Sequence, residues 1–195
     1  MRNTCCGQHS SCHNRDPIDQ LVAEHGVISA AVDAMAREID GMRVGGKIRP
    51  DFWRRAIEFC EQYAERCHDQ KEEVVLFPSL LAAGLSKGHG VLAALAQQHQ
   101  QARTALAAIR TALPGGNRDE LIRAVDGYVA LVCGHIDTEN RTLFPLVHEL
   151  LDTAAMQALR DGFAKFDVGP EGGNVAHGRH LAAELEREAG TSVAM

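Results

Sequence analysis

Aromatic residues are scarce in this 195-residue chain: one tryptophan, two tyrosines and six phenylalanines, 5% of the total. Sheet cores lean on aromatic and β-branched side chains, so the scarcity weighs against a β-sandwich. The hydrophobic share is still 45%, which leaves an interior of Leu, Ala, Val and Ile that suits helices. No window of about 18 apolar residues occurs, so nothing is expected to span a membrane. The opening MRNTCCGQHSSCHNRD also lacks the apolar stretch of a secretory signal. No long basic run or basic lipid-binding helix is present. Acids and bases are interspersed at a formal charge of −6, which argues against a nucleic-acid partner. The expectation is a soluble cytoplasmic protein with its six cysteines mainly reduced. Its length fits one domain with a substantial core.

Hydrophobic spacing then divides the chain. Residues 1–15 are small, polar and cysteine-rich, and read as a mobile tail. Asp16-Pro17 reads as an N-cap followed by proline at the first helical position. A first helix follows to about Met42, its apolar stripe running through Leu21, His25, Ile28, Val32, Met35 and Ile39. A second opens near Pro50-Asp51 and runs to Leu76-Phe77-Pro78, where proline is expected to kink or end it. A third covers about Val91 to Leu113, closed by Pro114-Gly115-Gly116, and a fourth about Arg118 to Leu151. Four long helices with short Gly/Pro loops predict an all-α, antiparallel up-and-down four-helix bundle over residues 16–151. Two shorter helices, about 154–166 and 174–189, are expected to pack on it as an extension over 152–195.

The chemistry is concentrated in a doubled stretch. His68-Asp69-Gln70-Lys71-Glu72 runs into Leu76-Phe77-Pro78 and returns 67 residues later as His135-Ile136-Asp137-Thr138-Glu139, running into Leu143-Phe144-Pro145. Residues four apart share a helix face, so each copy offers an imidazole and a carboxylate to one point. The other two long helices each add a mid-helix histidine, His25 and His99. A lone histidine on an apolar stripe is ordinarily a satisfied core residue. Four of them with two carboxylates would be buried polar groups without partners unless a metal were present. That many donors exceeds one tetrahedral zinc and suits two borderline ions, iron by choice, sharing carboxylates. A ferritin-like arrangement needs a repeated Glu-x-x-His. Glu65-Arg66-Cys67-His68 supplies it once, but Val132 and Ala96 stand where the repeats would need glutamate. In the tail, Cys5, Cys6, His9, Cys12 and His13 offer a metal site or a thiol redox switch, but they match no defensible zinc spacing and read as a disordered tail with reduced thiols.

Glu24-His25, Cys67-His68 through Glu72-Glu73 to Leu76-Phe77-Pro78, Gln98-His99, and His135 through Glu139 to Leu143-Phe144-Pro145 resemble the hemerythrin-like family, also called the HHE cation-binding domain. The resemblance covers residues 16–151. It implies a four-helix bundle holding a non-haem centre of two iron ions, bridged by Glu72, Glu139 and an oxo or hydroxo group. Respiratory hemerythrins carry a second histidine one turn along the third helix and an aspartate five residues beyond the last fourth-helix histidine; here those places are Arg103 and Asn140. The chain is therefore similar to the broader HHE branch and not to the oxygen carriers. A fifth ligand remains open among His177, Tyr128 and water, with Tyr128 favoured for a place beside the metals. Cys67 is assigned to packing or support of the site, and His89, His148 and His180, the last with Glu184, to the surface.

The first functional expectation is a sensor, binder or scavenger of O2, peroxide or NO. The second is catalase-like disproportionation of peroxide or NO-linked redox chemistry. The third is iron storage, donation or repair of damaged iron centres. No feature of the sequence names a protein partner.

Overall fold

The computed structural model describes residues 16–86, 90–168 and 175–191, so residues 1–15 with Cys5, Cys6, His9, Cys12 and His13, and also His89, lie outside the described residues. The secondary structure of the described residues is all helix, joined by short turns and without a strand. The elements are α1 (Pro17–Arg43), α2 (Pro50–Phe59), a π-helical segment π1 (Cys60–Asp69), a second π2 (Glu72–Leu76), α3 (Phe77–Ala82), α4 (Gly90–Gly115), α5 (Arg118–Thr138), π3 (Glu139–Leu143), α6 (Phe144–Leu150), α7 (Thr153–Val168) and α8 (Val175–Thr191). No helix among the described residues is long and apolar enough to cross a membrane.

Local chemistry sets several boundaries. Asp16 caps α1 by accepting from the Ile18 N–H at 2.8 Å, with Pro17 at the first helical position. Asn117 caps α5 through Glu120 in the same way. Positive φ values at Gly45, Gly84 and Gly116 turn the chain after α1, α3 and α4, a backbone region that costs glycine little.

Of the kink or end expected at Pro78, the end does not fall there. The backbone stays helical from Pro50 to Ala82. In both copies of the repeat a π segment starts at the glutamate and closes with an i→i−5 bond, Phe77 N–H to the Glu72 carbonyl and Phe144 N–H to the Glu139 carbonyl. The wider turn takes the carbonyl that a proline ring would strike out of its α-helical place. Pro78 and Pro145 therefore sit in the first turn of α3 and α6 without breaking the rod. Pro114 likewise lies inside the last turn of α4.

Buried apolar side chains form two clusters. One includes Ile28, Val32, Met35, Trp53, Phe59, Leu106, Ile109, Leu121, Val125 and Val132. The other includes Ile18, Leu21, Leu76, Phe77, Leu80, Leu92, Leu95, Leu143, Phe144 and Val147. Along α1 the chain passes from the second cluster to the first, along Pro50–Ala82 from the first to the second, along α4 back again, and along Arg118–Leu150 back once more. Between the clusters, at mid-length of every rod, lie the buried polar residues other than Glu38, which pairs with Arg49 near the end of α1.

The C-terminal helices close on this frame. Leu159 and Phe163 of α7 join the second cluster, and Leu181, Ala182, Leu185 and Ala189 of α8 join the first. α8 packs on α1 and α2 and reaches π1 through Gly178, which lies flat on the Tyr63 ring. A Cβ there would stand 2.7 Å from the Tyr63 Cβ, an atom fixed to its own backbone. Gly178→Ala is expected to cost about 1–3 kcal/mol by overpacking, read as a lower urea midpoint at unchanged m-value.

Candidate metal centre

The polar belt receives one imidazole from each rod: His25 from α1, His68 from π1, His99 from α4 and His135 from α5. Glu72 and Glu139, the first residues of π2 and π3, add the carboxylates. All six are buried. π turns inside α-helices are frequent at functional sites, and here both carry a glutamate at their first position.

The donor atoms form two groups. Nε2 of His25 stands 3.1 Å from Nε2 of His68 and 2.9 Å from Oε2 of Glu139, and Oε1 of Glu72 is 3.9 Å from His68 Nε2. Nε2 of His99 stands 3.1 Å from Nε2 of His135 and 3.4 Å from Oε2 of Glu72, while Oε1 of Glu139 is 3.1 Å from His135 Nε2. Within each group the four donor atoms lie within 4.8 Å of one another, and Glu72 and Glu139 belong to both groups.

What holds the rings in place is a set of acceptors on their far side. Nδ1 of His25 faces Oδ1 of Asn140 at 3.1 Å, and Nδ1 of His68 faces Oε2 of Glu24 at 3.0 Å. Nδ1 of His99 faces Oε1 of Glu73 at 2.8 Å, and Nδ1 of His135 faces Oε1 of Gln98 at 3.1 Å. Against an acceptor, Nδ1 carries the proton, so in the neutral ring Nε2 presents a bare lone pair inward. Two lone pairs aimed at each other across 3.1 Å need a cation or a proton between them. The carboxylates make the same demand: both oxygens of Glu72 and Oε1 of Glu139 are buried and make no hydrogen bond, a costly state for an acceptor. The donor set fits divalent metal.

Electrostatics without metal tell how that demand is otherwise met. Burial pushes the Glu72 carboxyl well up, and the neighbouring Glu139 adds to it. Burial works the same way on Glu139, yet the imidazoles of His135 and His25 hold it well below the usual carboxylate range. Burial would lower His68, but the charge of Glu72 and the bond to Glu24 raise it to about 9. His99 reaches about 11 against its burial, through Glu72 and Glu73. Without metal, protons are thus favoured on His68, His99 and Glu72 while Glu139 stays ionised, and an entering metal displaces those protons, so its affinity rises with pH.

The remaining sequence candidates fall elsewhere. His177 is not brought to the belt: it lies on the surface of α8 with Nε2 2.8 Å from Oε1 of Glu58, because the face α8 turns inward carries Gly178, Leu181 and Leu185. Tyr128 is buried beside the belt, and burial, with the Cys60 thiol nearby, raises it well above its ordinary value. His148 and His180 are surface residues, near Asp16 and Glu184 respectively. Cys67 is buried and accepts from Lys71 Nζ at 3.4 Å.

Two features were missed in the sequence. The supporting acceptors flank the donors: Glu24 and Gln98 precede His25 and His99, while Glu73 and Asn140 follow Glu72 and Glu139. Their recurrence in both halves was the available signal. The other is Lys71, wholly buried, whose ammonium contacts Glu24, lies 2.7 Å from Asp167 and fills a third donor group made of Glu24, Cys67 and Asp167.

A cavity of about 40 Å³ adjoins the belt, lined by His68, Asp69, His99 and His135 on one side and by apolar residues such as Ile28 and Val132 on the other. Glu65, Arg103 and Leu106 line both this cavity and a surface hollow beyond it. Water needs some 10–15 Å³ of such space, so a diatomic or a peroxide fits.

Residues 16–147 match the family model described as Hemerythrin HHE cation binding domain. No curated protein and no solved structure matches the chain. The match takes in every rod that contributes to the belt, and with it the chain belongs to the hemerythrin HHE cation-binding domain family.

Proposed function

We propose that this chain is a non-haem di-iron protein that binds or reacts with O2, peroxide or NO in sensing, scavenging or a redox stress response. The observation that carries the reading is the pair of four-donor groups sharing Glu72 and Glu139, three of whose four carboxylate oxygens otherwise lack hydrogen-bond partners. His25 and His68 would hold one iron and His99 and His135 the other, with Glu72 and Glu139 offering a carboxylate to both. The alternating order of the apolar clusters along the rods supports an antiparallel up-and-down four-helix bundle as the scaffold.

Ferrous ions bound there supply one-electron chemistry to a small diatomic or peroxide. The chain's own residues do the rest. Glu24, Glu73, Gln98 and Asn140 fix the ring orientations, and the apolar cavity wall keeps bulk water off. Arg103, one turn after His99, pairs with Glu73 at 3.2 Å and lines the cavity, so that turn supplies no further nitrogen.

The test is anaerobic loading with ferrous iron, metal analysis and an absorption spectrum before and after adding O2, peroxide or NO. Two irons per chain and a charge-transfer band with at least one of the three are expected. A chain that retains no iron, or a loaded one whose spectrum none of them changes, overturns the reading. Oxygen evolution on adding peroxide would assign it to the catalase-like enzymes.

A further inference from the structure

Asp69 belongs to neither four-donor group, yet it closes π1 directly after His68 and turns its carboxylate into the cavity beside the belt. Its side chain is 13% exposed, and Oδ1 lies 3.8 Å from Nε2 of His99. That is beyond a hydrogen bond, and no hydrogen bond to this carboxylate is present among the described residues. A carboxylate so enclosed needs a cation or a donor. Donor atoms around one ion at bond lengths near 2.1 Å stand about 3–4 Å apart, which is the relation of Asp69 Oδ1 to His99 Nε2, of His99 Nε2 to His135 Nε2 at 3.1 Å, and of His99 Nε2 to Glu72 Oε2 at 3.4 Å.

The repeat makes the position informative. The supporting residues of the belt come in matched pairs, an amide and a carboxylate behind each pair of rings. Asp69 has no such match, because the second copy of the repeat carries Ile136 in its place. One half of the centre thus has an extra oxygen donor at the cavity and the other does not.

The geometry points to Asp69 as a further ligand: its carboxylate binds the metal ion held by His99 and His135, completing a donor set that His177 does not reach. The inference rests on the di-iron reading. It makes the two ions chemically unequal, one with two nitrogens and the bridging carboxylates, the other with an added oxygen.

The experiment uses the full chain loaded with ⁵⁷Fe(II), comparing wild type with Asp69→Asn and Asp69→Ala. Asp137→Asn, an exposed carboxylate paired with Arg141, is the control. Iron affinity is read by competition with a chromogenic ferrous chelator, and the two ions by their Mössbauer doublets. The expected result is that Asp69→Ala weakens one of two irons about tenfold or more, as loss of a supporting group alone can do, and moves one doublet while the other stays. Asp69→Asn should move the same doublet and serves as the test if the alanine variant fails to fold. Affinities and doublets unchanged from wild type in a folded variant overturn the assignment, as does an equal shift of both doublets. A wild-type chain that holds fewer than two irons instead removes the di-iron reading itself.

Discussion

Glu139→Ala is expected to lower iron from two per chain to one or fewer, and Glu72→Ala to do the same. Each glutamate serves both donor groups, so one substitution strips a ligand from both ions at once. The carboxylates behind the rings cannot replace it, because Glu24 and Glu73 are already engaged by His68 and His99. Breaking a bridge also removes the anion that offsets two like-charged cations held between rods about 8–10 Å apart. A second readout follows from mass action. Metal that binds only the folded chain stabilises it by RT ln(1 + [L]/Kd), about 2.7 kcal/mol at one hundred times Kd. Adding ferrous iron should raise the melting temperature of the wild type clearly and of either variant little or not at all. Glu139→Gln keeps the shape while removing the charge, and should resemble the alanine variant in iron content. Full occupancy in both alanine variants would refute the bridging role.

The gathering of the six donors was legible because two periodicities coincide. The four-residue spacing puts His68 above Glu72 and His135 above Glu139, and the apolar stripes of α1 and α4 carry His25 and His99 at the same depth. What defeated the reading lies where three-dimensional context overrides spacing. The π turns carry no mark in the sequence other than the glutamate and proline that bound them, so Pro78 reads as a stop although the wider turn accommodates it. His177 shows the opposite limit. Its helix was anticipated, but which face of α8 meets the bundle is decided by Gly178 against Tyr63 and by Leu181 and Leu185, and that face leaves His177 beside Glu58. Asn140, noted as the place of a missing aspartate, proves to face Nδ1 of His25, where its amide oxygen accepts, though more weakly than a carboxylate would.

Lys71→Met is expected to destabilise the fold by about 3–5 kcal/mol, the usual cost of removing one partner from a buried ion pair. Lysine is among the residues least often fully buried, and nothing in His68-Asp69-Gln70-Lys71-Glu72 marks this one as internal. One of its partners, Asp167, lies 96 positions on in α7. Removing the ammonium leaves Glu24, itself buried, held only by Gln20 at 3.1 Å and His68 at 3.0 Å. Burial would raise the Glu24 carboxyl, but His68 and Lys71 bring it down to about 2. Without Lys71 that carboxylate loses its counter-ion in the core, and Asp167 loses the tie that fastens α7 to the turn between π1 and π2. Glu24 also fixes His68 through Nδ1, so the damage should pass to the metal: the variant's affinity for the iron at His25 and His68 is expected to fall about 10–100-fold, as for other losses behind a ligand. The double variant Glu24→Gln/Lys71→Met separates the two effects. Neutralising both partners should recover much of the urea midpoint lost in Lys71→Met, a coupling that only directly interacting groups show. Iron affinity should stay low, since a glutamine oxygen is a weaker acceptor for His68 than a carboxylate. If the double variant is as unstable as the sum of the two single ones, Lys71 is not the counter-ion of Glu24, and its burial serves packing alone.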